Sequence, residues 1–213
     1  MIDIYYSRIA ANSYVIFNEQ NEGILVDPGY NKSNCLINHL HAINKDIKVI
    51  LITHGHVDHI FALKDVLELY PNAEVIISEN DAQFLENPDL NLSSSYEDDY
   101  YKLCNYVPKS LTLVNDNETI KRCGFVIKVI ETPFHTKGSV CYLIESEKAL
   151  FSGDTLFFST IGRTDLPTGS NRTIISSLKK IKMLPDRIKV YPGHGACTEL
   201  DREKKYNPYL KNI

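Results

Sequence analysis

Apolar residues fall along this chain in two patterns. Short runs rich in β-branched residues alternate with stretches where apolar positions recur every three or four residues, the marks of strands and amphipathic helices. Tyr14–Phe17 (YVIF) and Gly23–Val26 (GILV) predict strands, the second stopped by Asp27-Pro28-Gly29. The opening MIDIYYSRIAANSYVIF carries charge at Asp3 and Arg8 and has no long apolar core, so it reads as strand rather than signal peptide. Asn34–Ile43 predicts a helix with Leu36, Ile37, Leu40 and Ile43 on one face. Val49–Ile52 (VILI) is continuously apolar, as a strand buried on both faces requires. A helix follows from about Ile60 to Tyr70, with Ile60, Leu63, Leu67 and Tyr70 on one stripe and Pro71 ending it. Glu74–Ser78 predicts another strand, followed by a short helix near Asp81–Leu85.

The pattern breaks at Asn87–Pro108 (NPDLNLSSSYEDDYYKLCNYVP), which is polar, acidic and rich in tyrosine. It reads as a packed connection, or as a surface segment overhanging a site, between halves at about 1–87 and 108–213. Beyond it, Phe125–Glu131, Val140–Ile144, Ala149–Phe151 and Ile188–Tyr191 predict strands. Asn171–Leu184 predicts a helix with Ile174, Ile175, Leu178 and Ile181 apolar and Ser170 as its N-cap. This mixed order suggests two similar β-rich layers with helices outside, in one mixed α/β domain over 1–213.

Composition narrows the function classes. The chain has 213 residues, 43% hydrophobic and 23% charged, enough to bury a sizeable core. A net charge of −4 argues against a general nucleic-acid partner. No apolar run approaches the roughly 20 residues that span a bilayer, so no membrane association is expected. Cys35, Cys104, Cys123, Cys141 and Cys197 are scattered, with no CxxC pair, and read as free thiols of a cytoplasmic protein.

Candidate chemistry gathers at the predicted strand ends. VILI-Thr53 leads to His54-Gly55-His56, then Asp58 and His59. VIET-Pro133-Phe134 leads to His135, ALF-Ser152-Gly153 to Asp154, and IKVY-Pro192-Gly193 to His194. Ligand sites of layered α/β proteins lie outside the carboxyl ends of strands. If these ends share an edge, five histidines and two aspartates converge. His54 and His56 are two apart, so on an extended segment they project together and suit one ion. Asp58 and His59 enter the next helix, point elsewhere and suit a second ion. Seven ligands exceed one four-coordinate zinc and fit two ions sharing a carboxylate, for which Asp154 is the natural bridge. A lone HxH is a weak signal; H-x-H-x-D-H after an apolar strand, with three matching strand ends, is a specific one. His39 and His41 lie on the Asn34–Ile43 helix and read as surface or packing histidines.

THGHVDH resembles the signature of the metallo-β-lactamase-fold hydrolases, and LVDPG resembles their early strand-and-turn motif. The resemblance extends over nearly the whole chain. It implies a four-layer αβ/βα sandwich with the metals at one edge of the packed sheets. It also implies one site of His54, His56 and His135, a second of Asp58, His59 and His194, a bridging Asp154, and Asp27 supporting the metal loop from behind. FSGDTLFFSTIGRTDLPTGS (Phe151–Ser170) and VYPGHG (Val190–Gly195) resemble the short bacterial glyoxalase II-like members, or hydroxyacylglutathione hydrolases. EKKYNPYL is similar to that group's terminal motif. It is reached here without the helical domain of glyoxalase II proper, since about 19 residues follow His194. Arg163 takes the group's basic loop position but is followed by Thr164 and Asp165 rather than aromatics.

The expectation is a hydrolase acting on a small-molecule thioester. It would use two divalent metal ions, zinc with iron or manganese as alternatives, and Asp58 and Asp154 as catalytic carboxylates. Arg163 reads either as a partner for a substrate carboxylate or as half of a structural loop ion pair. The rival is a persulfide dioxygenase of the same fold, resembled at GRTD, with one iron on His54 or His56, His135 and Asp154. GHG after VYP favours the hydrolases. Ribonuclease members are disfavoured by the acidic charge. A purely structural metal site is disfavoured because such sites are closed and cysteine-rich.

Overall fold

The computed structural model describes residues 2–5, 11–29, 35–42, 45–96 and 105–213. Two six-stranded sheets face each other. The first contains β1 (Ile2–Tyr5), β2 (Ser13–Phe17), β3 (Glu22–Val26), β4 (Asp46–Leu51), β5 (Glu74–Ser78) and β6 (Leu111–Val114), in that spatial order. Its β1–β2–β3 part is an antiparallel meander and its β3–β4–β5–β6 part is parallel. The second contains β7 (Thr119–Arg122), β8 (Phe125–Glu131), β9 (Val140–Ile144) and β10 (Ala149–Gly153). After a small hairpin, β11 (Leu156–Phe157) and β12 (Thr160–Ile161), it adds β13 (Lys189–Pro192) and β14 (Thr198–Glu199). Only β10 and β13 pair in parallel there.

Side-chain alternation along each strand explains the layering. In β2, Tyr14 and Ile16 face the second sheet while Val15 faces outward to helices. Val49 and Leu51 of β4 face inward, Ile50 outward. In β9, Val140, Tyr142 and Ile144 face the first sheet, and Cys141 and Leu143 face away. A strand covered on both sides must be apolar at every position, which is why VILI and VCYLI show no alternation. The outer face of the first sheet is covered by α1 (Cys35–Ala42), by α2 (Val57–Ile60) through Ile60, and by α3 (Leu63–Leu69). That of the second is covered by α4 (Ile174–Lys182) and α5 (Leu200–Tyr206). These are the four layers of the αβ/βα sandwich.

Three local expectations change. The helix expected over Ile60–Tyr70 is two pieces, because the Ala62 N–H donates to the Pro28 carbonyl at 2.9 Å instead of continuing the helix. Asp58 and His59 therefore sit on a separate short helix, α2. Ile175 is 57% exposed, so the apolar stripe of α4 is Leu178 and Ile181, with Ile174 beside them. Ser170 caps as expected, but it starts a 3-10 turn, Asn171–Thr173, ahead of α4. The polar segment after Asn87 is described at 87–96 and 105–108; its remainder, with Cys104, lies outside the described residues, as do Asn34 and Ile43. Cys123 and Cys141 are free thiols. Among the described residues no helix is long and apolar enough to cross a membrane.

Ile16→Ala, at 1% exposure between the sheets, is expected to cost about 2–5 kcal/mol in urea denaturation. Ile175→Ala is expected to stay within about 0.5 kcal/mol. Equal effects would contradict the assignment of faces.

Candidate metal centre

Four loops leave the same edge of the sandwich, after β4, β8, β10 and β13, and carry His54 to His59, His135, Asp154 and His194. The expected seven side chains meet there. Their ligand atoms form three overlapping groups within 4.8 Å: His54, His56 and His135; His54, His59 and Asp154; Asp58, His59 and His194. In the first, His56 Nδ1 lies 3.1 Å from His54 Nε2 and 2.9 Å from His135 Nε2. In the last, His194 Nε2 lies 3.1 Å from Asp58 Oδ2. Asp154 reaches both, with Oδ2 3.4 Å from His135 Nε2 and Oδ1 3.3 Å from His59 Nε2 and 3.6 Å from His194 Nε2.

The outer hydrogen bonds fix how the rings are presented. His135 Nδ1 faces the Arg163 carbonyl at 2.8 Å. A carbonyl only accepts, so Nδ1 carries the hydrogen and Nε2 of the neutral ring turns a lone pair to the cluster. His59 Nδ1 likewise faces the Asp27 carboxylate at 2.9 Å. That carboxylate, 1% exposed, also accepts from the Thr53 N–H at 2.8 Å and the Thr53 hydroxyl at 2.7 Å. Asp27 thus holds the histidine loop from behind. Several positions nearby require glycine, Gly153 and Gly162 among them. Gly153 has φ +47° and sits against Thr53, and a side chain at Gly162 would collide with the Asp154 carbonyl.

Electrostatics separate the rings. Burial, reinforced by neighbouring imidazoles, holds His54 well below the usual histidine range and His56 down to about 3, so both are neutral donors of lone pairs. Burial opposes charge on His59 too, but Asp27, Asp58 and Asp154 outweigh it and raise its affinity for a proton. Burial also opposes ionisation of Asp154, and the His59 contact together with His194 and His135 reverses this, keeping it ionised.

These residues fit divalent cations. His59 Nε2 and Asp154 Oδ1 are buried and have no hydrogen-bond partner despite lying 3.3 Å apart. Orphaned buried polar atoms are rare and costly, and two aimed into a ring of lone pairs and carboxylates are what a cation relieves. The cluster opens on a cavity of about 500 Å³, whose walls include Leu92, Tyr96, Phe157, Arg163 and Leu166. The polar segment after Asn87 therefore borders the site. The Arg163 guanidinium is exposed and paired with Asp165. His39 and His41 sit on α1, outside the cluster, His39 packed on Tyr5.

Two supporting residues escaped the sequence reading. Asp81 is fully buried in the 3-10 turn Glu79–Leu85 after β5. It accepts from the Gly55 N–H at 3.0 Å, the Thr136 hydroxyl at 2.7 Å and the Gly138 N–H at 2.8 Å. It therefore ties the His54–His56 loop to the His135 loop. Its position after an apolar strand matched the four strand ends already noted and was the available signal. Asn12 holds the His194 loop through the Pro192 and Gly195 carbonyls at 3.1 and 3.0 Å, and nothing in its local sequence marks it.

The chain belongs to the metallo-beta-lactamase superfamily, whose sequence model matches residues 7–194. A probable metallo-hydrolase of Streptococcus pyogenes is 36% identical over 201 residues, covering 93% of this chain and 85% of that protein. The hydroxyacylglutathione hydrolase GloC of Haemophilus influenzae is 29% identical over 94% of this chain and 93% of its own. Among solved structures, the B3 metallo-beta-lactamase BLEG-1 superposes over 100% of both chains with a TM-score of 0.86 and 33% identity. ETHE1 from Myxococcus xanthus, at 24% identity and a TM-score of 0.78 over 100% of this chain and 86% of that one, shares the fold.

Asp81→Asn places an amide against three donors. It is expected to weaken zinc binding by about 10–100-fold in competition with a chromophoric chelator. Unchanged affinity would remove Asp81 from the support of the site.

Proposed function

We propose that this protein is a metal-dependent hydrolase of small-molecule thioesters, of the glyoxalase II-like kind. The observation that carries the reading is the pair of ligand groups joined through Asp154 at the floor of an open cavity. His54, His56 and His135 would hold one ion through Nε2, Nδ1 and Nε2. Asp58, His59 and His194 would hold the other, and Asp154 would serve both. Divalent ions in such a pair, zinc, iron or manganese, polarise a carbonyl and bring the pKa of bound water down to about 7.

The chain's own groups do the rest. Asp154, kept ionised by its imidazole neighbours, holds the two halves of the cluster in register. Asp58 is the most open carboxylate of the set at 29% side-chain exposure and faces the cavity, placed to accept a proton there. Burial opposes its ionisation, but His59 and the His194 hydrogen bond keep its carboxyl below the usual range. Phe157, its ring 6.0 Å from that of His194, and Leu166 add apolar surface to the cavity. No serine or cysteine nucleophile is required, and neither a nucleic acid nor a membrane surface enters the reading.

Relatives of near-equal length support it, one of them a hydroxyacylglutathione hydrolase and another a probable metallo-hydrolase. A mono-iron persulfide dioxygenase would need His54 or His56, His135 and Asp154 alone. The complete Asp58, His59 and His194 group beside them supports two ions, and so the hydrolase.

Asp154→Asn is expected to lower thioester turnover about a hundredfold or more and to reduce bound metal from two ions per chain. Metal content by mass spectrometry and thiol release with S-lactoylglutathione are the readouts. Full activity with unchanged metal would defeat the two-metal assignment. Oxygen uptake with glutathione persulfide, on iron alone and with no thioester turnover, would give the site to the dioxygenase.

A further inference from the structure

Outside the cluster itself, the cavity lining carries one charged side chain among the described residues, Arg163. Its guanidinium is already engaged. Nε and Nη2 each donate to a different Asp165 carboxylate oxygen at 2.6 Å, a two-bond planar pair. The loop that carries the pair is fixed from both sides. The Arg163 carbonyl accepts from His135 Nδ1 at 2.8 Å, and the Thr164 hydroxyl donates to the Asn171 side chain. The Arg163 hydrogen bond holds the Asp165 carboxyl down to about 2, so the pair is intact at neutral pH. Apart from Arg163 and the cluster residues, the lining is Val57, Leu92, Tyr96, Phe157 and Leu166, apolar or aromatic.

We propose that Asp165 sets the charge of the substrate. By occupying Arg163 it leaves the rim neutral, and the site takes thioesters whose thiol portion is uncharged and apolar. The inference rests on the thioester-hydrolase reading and adds its substrate class. A carboxylate on the substrate could reach Arg163 only by displacing Asp165. That exchanges one two-bond pair for another and gives little net binding, so nothing favours the anionic substrate. An apolar thiol portion instead gains by leaving water against the Phe157 and Leu166 wall.

The test compares two thioesters with the same acyl group, S-butanoyl-N-acetylcysteamine (neutral) and S-butanoylglutathione (anionic), on the zinc-loaded full chain. The wild type is expected to favour the neutral thioester in kcat/KM about two- to fivefold. Asp165→Asn frees the guanidinium and is expected to lower KM for the glutathione thioester about two- to fivefold, with kcat little moved. The Arg163→Gln, Asp165→Asn double variant is expected to lose that gain, which separates charge from any change in loop shape. A wild type that prefers the glutathione thioester, or an Asp165→Asn variant with no KM gain, overturns the proposal and leaves thioester hydrolysis standing. Turnover of neither thioester by the metal-loaded wild type overturns both.

Discussion

The site depends on one buried carboxylate, Asp27. An ionised group taken out of water costs several kcal/mol unless its oxygens are satisfied. Asp27 is satisfied by the Thr53 amide, the Thr53 hydroxyl and His59 Nδ1. Those three bonds determine where the loop after β4 runs and which face of His59 turns inward. Asp81 does the same between the halves, with Gly55 on one side and Thr136 and Gly138 on the other. The sheets supply two rigid edges, and two buried carboxylates stitch the loops that leave them.

Burial then sorts the ligands by charge. Burial, reinforced by neighbouring imidazoles, keeps His54 and His56 neutral, while Asp154 and Asp58 stay ionised because His59 and His194 face them. Neutral lone pairs beside ionised carboxylates are the donor set of a hard-to-intermediate divalent cation. A cluster meant only for internal hydrogen bonding would not leave His59 Nε2 and Asp154 Oδ1 buried without partners.

The layers were legible in the sequence because continuous apolar runs such as VILI and VCYLI fit strands covered on both faces and little else. The seven clustered residues were legible because each follows such a strand or enters the helix after it. The short elements were not. β11, β12 and β14 have two residues each, too few for any period to register. The break between α2 and α3 comes from the Pro28 carbonyl, which is far away in sequence. Asn12 also acts at a distance, through loops some 180 residues on. The pairing of Arg163 with Asp165 was one of two readings of that arginine, and the geometry of the loop places the guanidinium on its neighbour.

The central claim is that these seven residues hold two ions around one carboxylate. A crystal structure of the zinc-loaded protein, with anomalous maps recorded across the zinc edge, tests it most directly. Two peaks are expected, one among His54, His56 and His135, the other among Asp58, His59 and His194, each in contact with Asp154. A single peak, or zinc held away from Asp154, would contradict it.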